Sequence, residues 1–272
     1  MRIALTIAGS DSGGGAGIQA DLKTFHRFGV FGTSVVTAVT AQNTREVRAV
    51  HAIPPEIVRA QLEALAADLP AHACKTGMLA SAELVHTVAR LLDPGIPYVC
   101  DPVMVATSGG RLLDRAAERV VAGELVSRAA LVTPNLEEAS ILGGFPVHDP
   151  ATMEQAGRAL LDLGAGAALI KGGHLAGDLL VDILVTRGGA RRFEHRRIET
   201  SSTHGTGCTL SAAITAGLAL GHALETAVEE ALAYVRRAIA AAPGLGGGHG
   251  PLGDPGSRES GEPEIREPRI RG

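Results

Sequence analysis

The chain carries no tryptophan, two tyrosines and five phenylalanines among 272 residues, so a carbohydrate platform of stacked aromatic rings is disfavoured. Cysteine is sparse as well: Cys74, Cys100 and Cys208 lie far apart and form no metal-ligand pair. An odd, scattered set of that kind fits reduced thiols in a cytoplasm. Positive charge is short, with 25 Lys plus Arg against 29 Asp plus Glu. No basic patch is evident, which argues against a nucleic-acid partner. No apolar run is long enough to cross a bilayer, and the first residues read as a strand, not a leader. The expectation is a cytoplasmic protein with no membrane partner. Two further scarcities are local. Lysine occurs only at positions 23, 75 and 171 in a chain that otherwise uses arginine. A lysine kept in such a chain marks a place where a compact ammonium is needed, although chance suffices for Lys23. Asparagine occurs only as Asn43 and Asn135.

What the chain does have is 45% hydrophobic content, enough for one sizeable core. The spacing predicts a strand from residue 3, a glycine loop over 9–17, and a helix over 18–28 closed by Gly29. Strands follow at 33–41, read as buried, and at 47–53. A helix over 55–69 places Ile57, Val58, Leu62 and Leu65 on one face. Then come a strand at 71–76, a helix at 81–92, a strand at 98–101 and a helix at 114–127. Next are a strand at 130–133, helices at 136–142 and 152–163, and a strand at 167–171. A hairpin about Gly188-Gly189 and helices over 207–220 and 223–241 complete the pattern. This alternation predicts an α/β fold with a mostly parallel central sheet and helices on both faces. Ligands in such folds bind beyond the carboxyl ends of the strands. Composition shifts toward Gly, Pro and charge from residue 243. The expected division is one domain over 1–253 and a flexible tail over 254–272.

Several motifs fall at those strand ends, each with two readings. Thr203-His204-Gly205-Thr206-Gly207-Cys208 precedes a run of helix formers. Its N–H groups would point outward at the positive end of a helix dipole, ready for an anion, and would lower the pKa of the Cys208 thiol. The alternative is a glycine-rich cap over a buried cysteine. The loop 9–17 is not a Walker A loop, because no Gly-Lys-Ser/Thr closes it, and it misses the dinucleotide spacing. Asp21 either bonds a polar ligand or complements the dipole. Asn135 and Glu138 either hold a hydrated Mg²⁺ or form a capping box. Lys171, before two glycines, is a phosphate contact or a surface lysine. Asp101 is an electrostatic partner near phosphate or a turn opener. Met78 stacks on an aromatic ligand or fills a core. His174 and His204 are loop histidines with no role assigned.

Taken together and in order, Gly-Ser-Asp-Ser-Gly-Gly-Gly-Ala-Gly-Ile-Gln-Ala-Asp (9–21), Thr-Ala-Val-Thr-Ala-Gln-Asn-Thr (37–44), Lys-Thr-Gly-Met-Leu (75–79), Asp-Pro-Val-Met (101–104), Thr-Pro-Asn-Leu-Glu-Glu (133–138), Lys-Gly-Gly-His (171–174) and His-Gly-Thr-Gly-Cys (204–208) resemble the hydroxymethylpyrimidine/phosphomethylpyrimidine kinases of thiamine biosynthesis, within the ribokinase-like superfamily. The resemblance runs from about residue 3 to 252. It implies phosphorylation of a hydroxymethylpyrimidine and then of its monophosphate, with ATP as donor and Mg²⁺ as metal, by a homodimer. It implies that Gly9, Asp21, Gln42 and Met78 hold the pyrimidine. It implies that Gly205, Thr206, Gly207 and Cys208 form an anion hole in which Cys208 replaces the aspartate base of wider relatives. It implies that Lys171, Asn135 and Asp101 serve ATP, and that Glu138 and Asn135 serve the metal. The neighbouring alternative is a pyridoxal or pyridoxine kinase, alone or as a second activity. Gln42 favours the pyrimidine, because an amide pairs with a donor–acceptor ring edge.

Overall fold

The computed structural model describes residues 1–104, 115–173, 175 and 177–256. His174 and residues 257–272 of the expected tail lie outside the described residues, as does the predicted start of a helix at residue 114. Among the described residues nine strands form one sheet in the order β3-β2-β1-β4-β5-β6-β7-β8-β9. They are β1 (Ile3–Asp11), β2 (Phe31–Gln42), β3 (Val47–Ala52), β4 (Ala73–Thr76), β5 (Tyr98–Cys100), β6 (Leu131–Val132), β7 (Ala167–Ile170), β8 (Leu179–Thr186) and β9 (Gly189–Arg196). The six strands from β2 through β7 pair in parallel. Antiparallel strands close both edges, β3 at one side and the β8–β9 hairpin at the other.

The helices are α1 (Gly17–Arg27), α2 (Pro55–Asp68), α3 (Ala82–Leu91), α4 (Arg115–Val120), α5 (Leu136–Gly143), α6 (Pro150–Asp162), α7 (Thr206–Ala219) and α8 (Leu224–Ala240). Strand side chains alternate between two cores, as the pleat requires. Val99, Leu131, Leu169 and Leu184 pack under α7 and α8, and Ala4 and Ala73 meet α1 and α7. Their neighbours Cys100, Val132, Ile170 and Ile183 face the core under α2 to α6. Helix α7 is rich in Ala, Gly, Ser and Thr, and its small side chains let it settle against β1, β4 and β5. Among the described residues no helix is long and apolar enough to cross a membrane.

Three details depart from the sequence reading. The strand over 33–41 is not buried throughout, since β2 alternates and leaves Val39 open near the edge. Ile57 is 50% exposed, whereas Val58 and Leu62 carry the buried face of α2. The helix expected to run to residue 127 changes pitch, passing from α4 into a π turn over Val121–Leu125 and a 3₁₀ turn over Val126–Arg128. Apolar spacing does not distinguish these pitches over so few residues.

Candidate active site

After β1 the chain moves to one side of that strand to build β2, and then to the other side to build β4. The sheet therefore reverses direction between β1 and β4, and that reversal opens a crevice at the strands' carboxyl ends. Gly9 and Met78 meet there. Gly9 sits at a register irregularity of the β1–β2 ladder, and a Cβ at that position would lie 3.2 Å from Met78 Cε. Met78 is held by its own backbone, whose carbonyl accepts a 2.7 Å hydrogen bond from Thr37 Oγ1. Two residues further on, Ala80 takes φ +65°, the only non-glycine with positive φ among the described residues.

Beneath this crevice Lys75 and Asp21 form a sealed ion pair. Lys75 Nζ donates to Asp21 Oδ1 at 2.7 Å, Thr6 Oγ1 donates to Oδ2 at 2.6 Å, and both charged side chains are 0% exposed. Burial disfavours the Lys75 charge, but Asp21 outweighs it and keeps the ammonium protonated. Asp21 is thus a counterion with no solvent-facing atom in this structure, and Lys75, the partner that burial hides, is the residue the sequence reading left without a role. Its signal was present in the scarcity of lysine.

A second pair lies toward the far side of α7. Lys171, at the end of β7, donates to Asp101 Oδ1 at 3.2 Å. Thr133 Oγ1 donates to the same oxygen and Ser211 Oγ to Oδ2. Burial raises the Asp101 pKa, but Lys171 and then Lys75 overcome it and hold the carboxyl below its usual range. Glu138 behaves differently. Burial lifts it to about 7 against the pull of Lys171, with Asp101 adding repulsion. The capping box is realised: Asn135 Oδ1 accepts from Glu138 N–H, and Glu138 Oε2 accepts from Asn135 N–H, both at 2.9 Å. Among the described residues no group of three or more His, Cys, Asp or Glu side chains is arranged to hold a metal ion.

Helix α7 begins between the two pairs. Gly205 caps it at φ +82°, and a Cβ there would collide with the Gly15 carbonyl, so the turn needs glycine. Thr206 folds back on the Thr203 carbonyl through its hydroxyl and its N–H. By helix geometry the first-turn N–H groups of Gly207 and Cys208 have no intrahelical acceptor. A Cβ on Gly207 would sit 3.2 Å from Lys171 Nζ, so the ammonium stands against the open helix end. Cys208 is half-buried, and its thiol is not acidified as expected. Burial pushes it up to about 11, with Lys75 and the Gly17 N–H pulling the other way.

The glycine loop after β1 is bound to this helix end by a network the sequence reading also missed. Asp11 accepts N–H bonds from Gly13, Gly15 and Ala16, and its Oδ2 lies 2.9 Å from His204 Nε2. The Gln42 carboxamide approaches the same imidazole nitrogen at 3.0 Å. The structure therefore brings together Gly9 with Met78, Gln42 with the α7 entry, and Lys171 with Asp101 and Gly207.

A family model described as phosphomethylpyrimidine kinase matches residues 11–253. A hydroxymethylpyrimidine/phosphomethylpyrimidine kinase from Rhizobium meliloti is 51% identical over 254 residues, covering 92% of this chain and 96% of the relative. The thiamine biosynthesis bifunctional protein ThiED of Geobacter sulfurreducens is 49% identical over 250 residues, and there the match spans 91% of this chain and only 51% of the relative. Among solved structures, an ADP complex of Bacillus subtilis pyridoxal kinase aligns with a TM-score of 0.87 at 36% identity, covering 93% of this chain and 97% of that one. Sequence identity over nearly the full length and a shared ribokinase-like fold agree, and the chain belongs to the phosphomethylpyrimidine kinase family of ATP-dependent phosphotransferases.

Proposed function

We propose that this kinase phosphorylates 4-amino-5-hydroxymethyl-2-methylpyrimidine and then phosphorylates the monophosphate to the diphosphate, acting as a homodimer in the cytoplasm. The observation that carries this reading is the convergence of the open α7 terminus, Lys171 and Asp101 at the end of a crevice floored by Gly9 and Met78. Such a crevice takes a flat ring, and such a terminus takes phosphate. In each step an O–P bond forms between the acceptor oxygen and the γ-phosphorus. The bridging P–O bond of ATP breaks and ADP leaves. Negative charge spreads over the γ-phosphoryl oxygens, so positioning and electrostatic stabilisation dominate. The Gly207 and Cys208 N–H groups and the Lys171 ammonium answer that charge. Lys171 exchanges part of its bond to Asp101 for phosphate.

Cys208 takes the proton of the alcohol. The acceptor is the thiolate, which becomes S–H as the alcohol proton leaves; burial pushes the thiol up to about 11, so few molecules carry the thiolate at neutral pH and the rate should rise as pH increases. Mg²⁺, when bound, neutralises phosphate charge. Glu138 and Asn135 are the residues that would hold it, chiefly through water, since both Glu138 oxygens already accept backbone N–H groups. The homodimer reading is supported by β3, an edge strand exposed along nearly its whole length, with Val50 open on it and Val39 open on the adjoining β2. Light scattering reads the assembly directly, and a monomeric mass would remove it.

The deciding experiment incubates the protein with ATP, Mg²⁺ and either the hydroxymethylpyrimidine or pyridoxal and reads products by mass spectrometry. Mono- and then diphosphate from the pyrimidine is the expected result. Product from pyridoxal alone would transfer the assignment to vitamin B6 chemistry. Cys208→Ser should lower kcat about 100-fold while leaving pyrimidine affinity near its original value. An unchanged kcat would remove the proton-acceptor role.

A further inference from the structure

Two of the network's groups, Asp11 and His204, have no part in the chemistry above, yet His204 stands between Asp11 and the Gln42 side chain. Asp11 meets three backbone N–H donors at 2.8 to 3.0 Å: Gly13 on Oδ1, with Gly15 and Ala16 on Oδ2. Oδ2 also faces His204 Nε2 at 2.9 Å. A carboxyl surrounded by donors is an acceptor at every lone pair it presents, and it is ionised. Burial alone would raise its pKa, but the His204 bond and the backbone bonds bring it below the usual value. The imidazole nitrogen beside it must therefore carry hydrogen. His204 is also fixed in place: its backbone N–H donates to the Gly250 carbonyl, its backbone bridges to Pro251, and a Cβ on Gly15 would lie 2.7 Å from its Cδ2.

In this structure the amide nitrogen of Gln42, Nε2, lies 3.0 Å from the same His204 Nε2. Two N–H donors cannot share that contact, and the oxygen and nitrogen of a primary amide have nearly the same shape. From this geometry we infer that His204 is a positioning residue for pyrimidine recognition: its one Nε2–H, shared between Asp11 Oδ2 and Gln42, turns the carboxamide so that its oxygen faces the imidazole and its NH₂ end is the donor offered to the ligand. Gln42 then selects a ring whose edge presents an acceptor, such as the lone pair of an aromatic nitrogen. Without His204 the amide turns freely and offers either end. The inference rests on the pyrimidine kinase reading for its ligand, but not for the orientation of the amide.

The test uses the full chain and two readouts. Steady-state kinetics with the hydroxymethylpyrimidine and ATP compare His204→Phe, His204→Gln and Gln42→Leu with the double variant Gln42→Leu/His204→Phe. His204→Phe is expected to raise KM for the pyrimidine about tenfold, with kcat and KM for ATP held within about twofold. His204→Gln keeps an N–H near the Nε2 position and should recover most of the loss. In the Gln42→Leu background, His204→Phe should add less than about twofold, because the residue acts through the amide. Additive losses, or equal rises in KM for both substrates, would overturn the inference. The second readout is ¹⁵N NMR of the imidazole in the unliganded protein, which should show a protonated Nε2. A bare Nε2 would overturn the inference whatever the substrate. If the pyrimidine is not phosphorylated while Nε2 is protonated, the functional reading fails and the amide orientation stands.

Discussion

Two of the three lysines in this chain each face an aspartate under the same helix, and the two pairs differ in every measure that matters. Lys75 and Asp21 are 2.7 Å apart and 0% exposed, whereas Lys171 and Asp101 are 3.2 Å apart with the ammonium side chain 17% exposed. The sealed pair is closed to solvent in this structure. The open pair stands against the free N–H groups of α7 and can be re-partnered. A buried ion pair is weak evidence for stability, but one left with a single member is strongly destabilising. Two chemically equal pairs thus take different duties according to how much water reaches them. The first is sealed beneath the crevice, and the second is the one proposed to meet phosphate.

Removing one member of the sealed pair gives the largest expected effect. Lys75→Met takes from the buried Asp21 the counterion that opposes its desolvation and leaves Thr6 as its side-chain donor, and should cost about 3 to 5 kcal/mol in urea unfolding. Adding Asp21→Leu should return most of that loss, because the orphaned carboxyl goes with it. If Lys75→Met unfolds no more easily than the parent, the pair is not sealed in solution and the contrast fails.

Lys171→Met should do the reverse. The expected loss is about 100-fold in kcat/KM for ATP, the scale of one transition-state donor, with a smaller change in unfolding free energy than Lys75→Met. Asp101 retains Thr133 and Ser211 as donors, so it is not orphaned when the lysine goes. A stability loss as large as that of Lys75→Met would erase the distinction between the pairs.

The contrast also marks how far the sequence could be read. The alternation of apolar segments foretold the parallel sheet, the helices on both faces and the placement of Lys171, Asp101 and Asn135 at strand ends, because each is set by local pattern and by the rule that ligands bind at the carboxyl ends. Lys75 was visible only as a rarity; its burial depends on Asp21, 54 residues away in sequence, which no local pattern reports. The Asp11–His204–Gln42 network joins segments up to 193 residues apart and was invisible for the same reason. The Cys208 thiol was misread because the helix N-terminus is a local feature, whereas the desolvation that opposes it is set by the whole fold.

Gly207 sharpens the comparison from the side of the open pair. Glycine within a helix costs up to about 1 kcal/mol relative to alanine, so Gly207→Ala should leave stability unchanged or slightly raised. Its new methyl group, however, would lie 3.2 Å from Lys171 Nζ and push the ammonium aside. The expected result is about a tenfold fall in kcat/KM for ATP with no loss in melting temperature. A fall in both would place the fault in helix packing and away from the lysine.

The smallest expected effect separates the two duties of Asn135. Its oxygen caps α5 by accepting the Glu138 N–H, which leaves its NH₂ group as the only part free to meet phosphate or water. Asn135→Ala removes both functions and mixes a cap loss of about 1 kcal/mol with any loss of binding. Asn135→Asp separates them. Aspartate caps a helix about as well as asparagine, so unfolding should move by less than about 0.5 kcal/mol. The NH₂ donor is replaced by an anion close to Glu138 and Asp101, so KM for ATP should rise about threefold at saturating Mg²⁺. If KM is unchanged while the cap holds, Asn135 belongs with the sealed pair as scaffold, and the phosphate side of the site is carried by Lys171 and the α7 terminus alone.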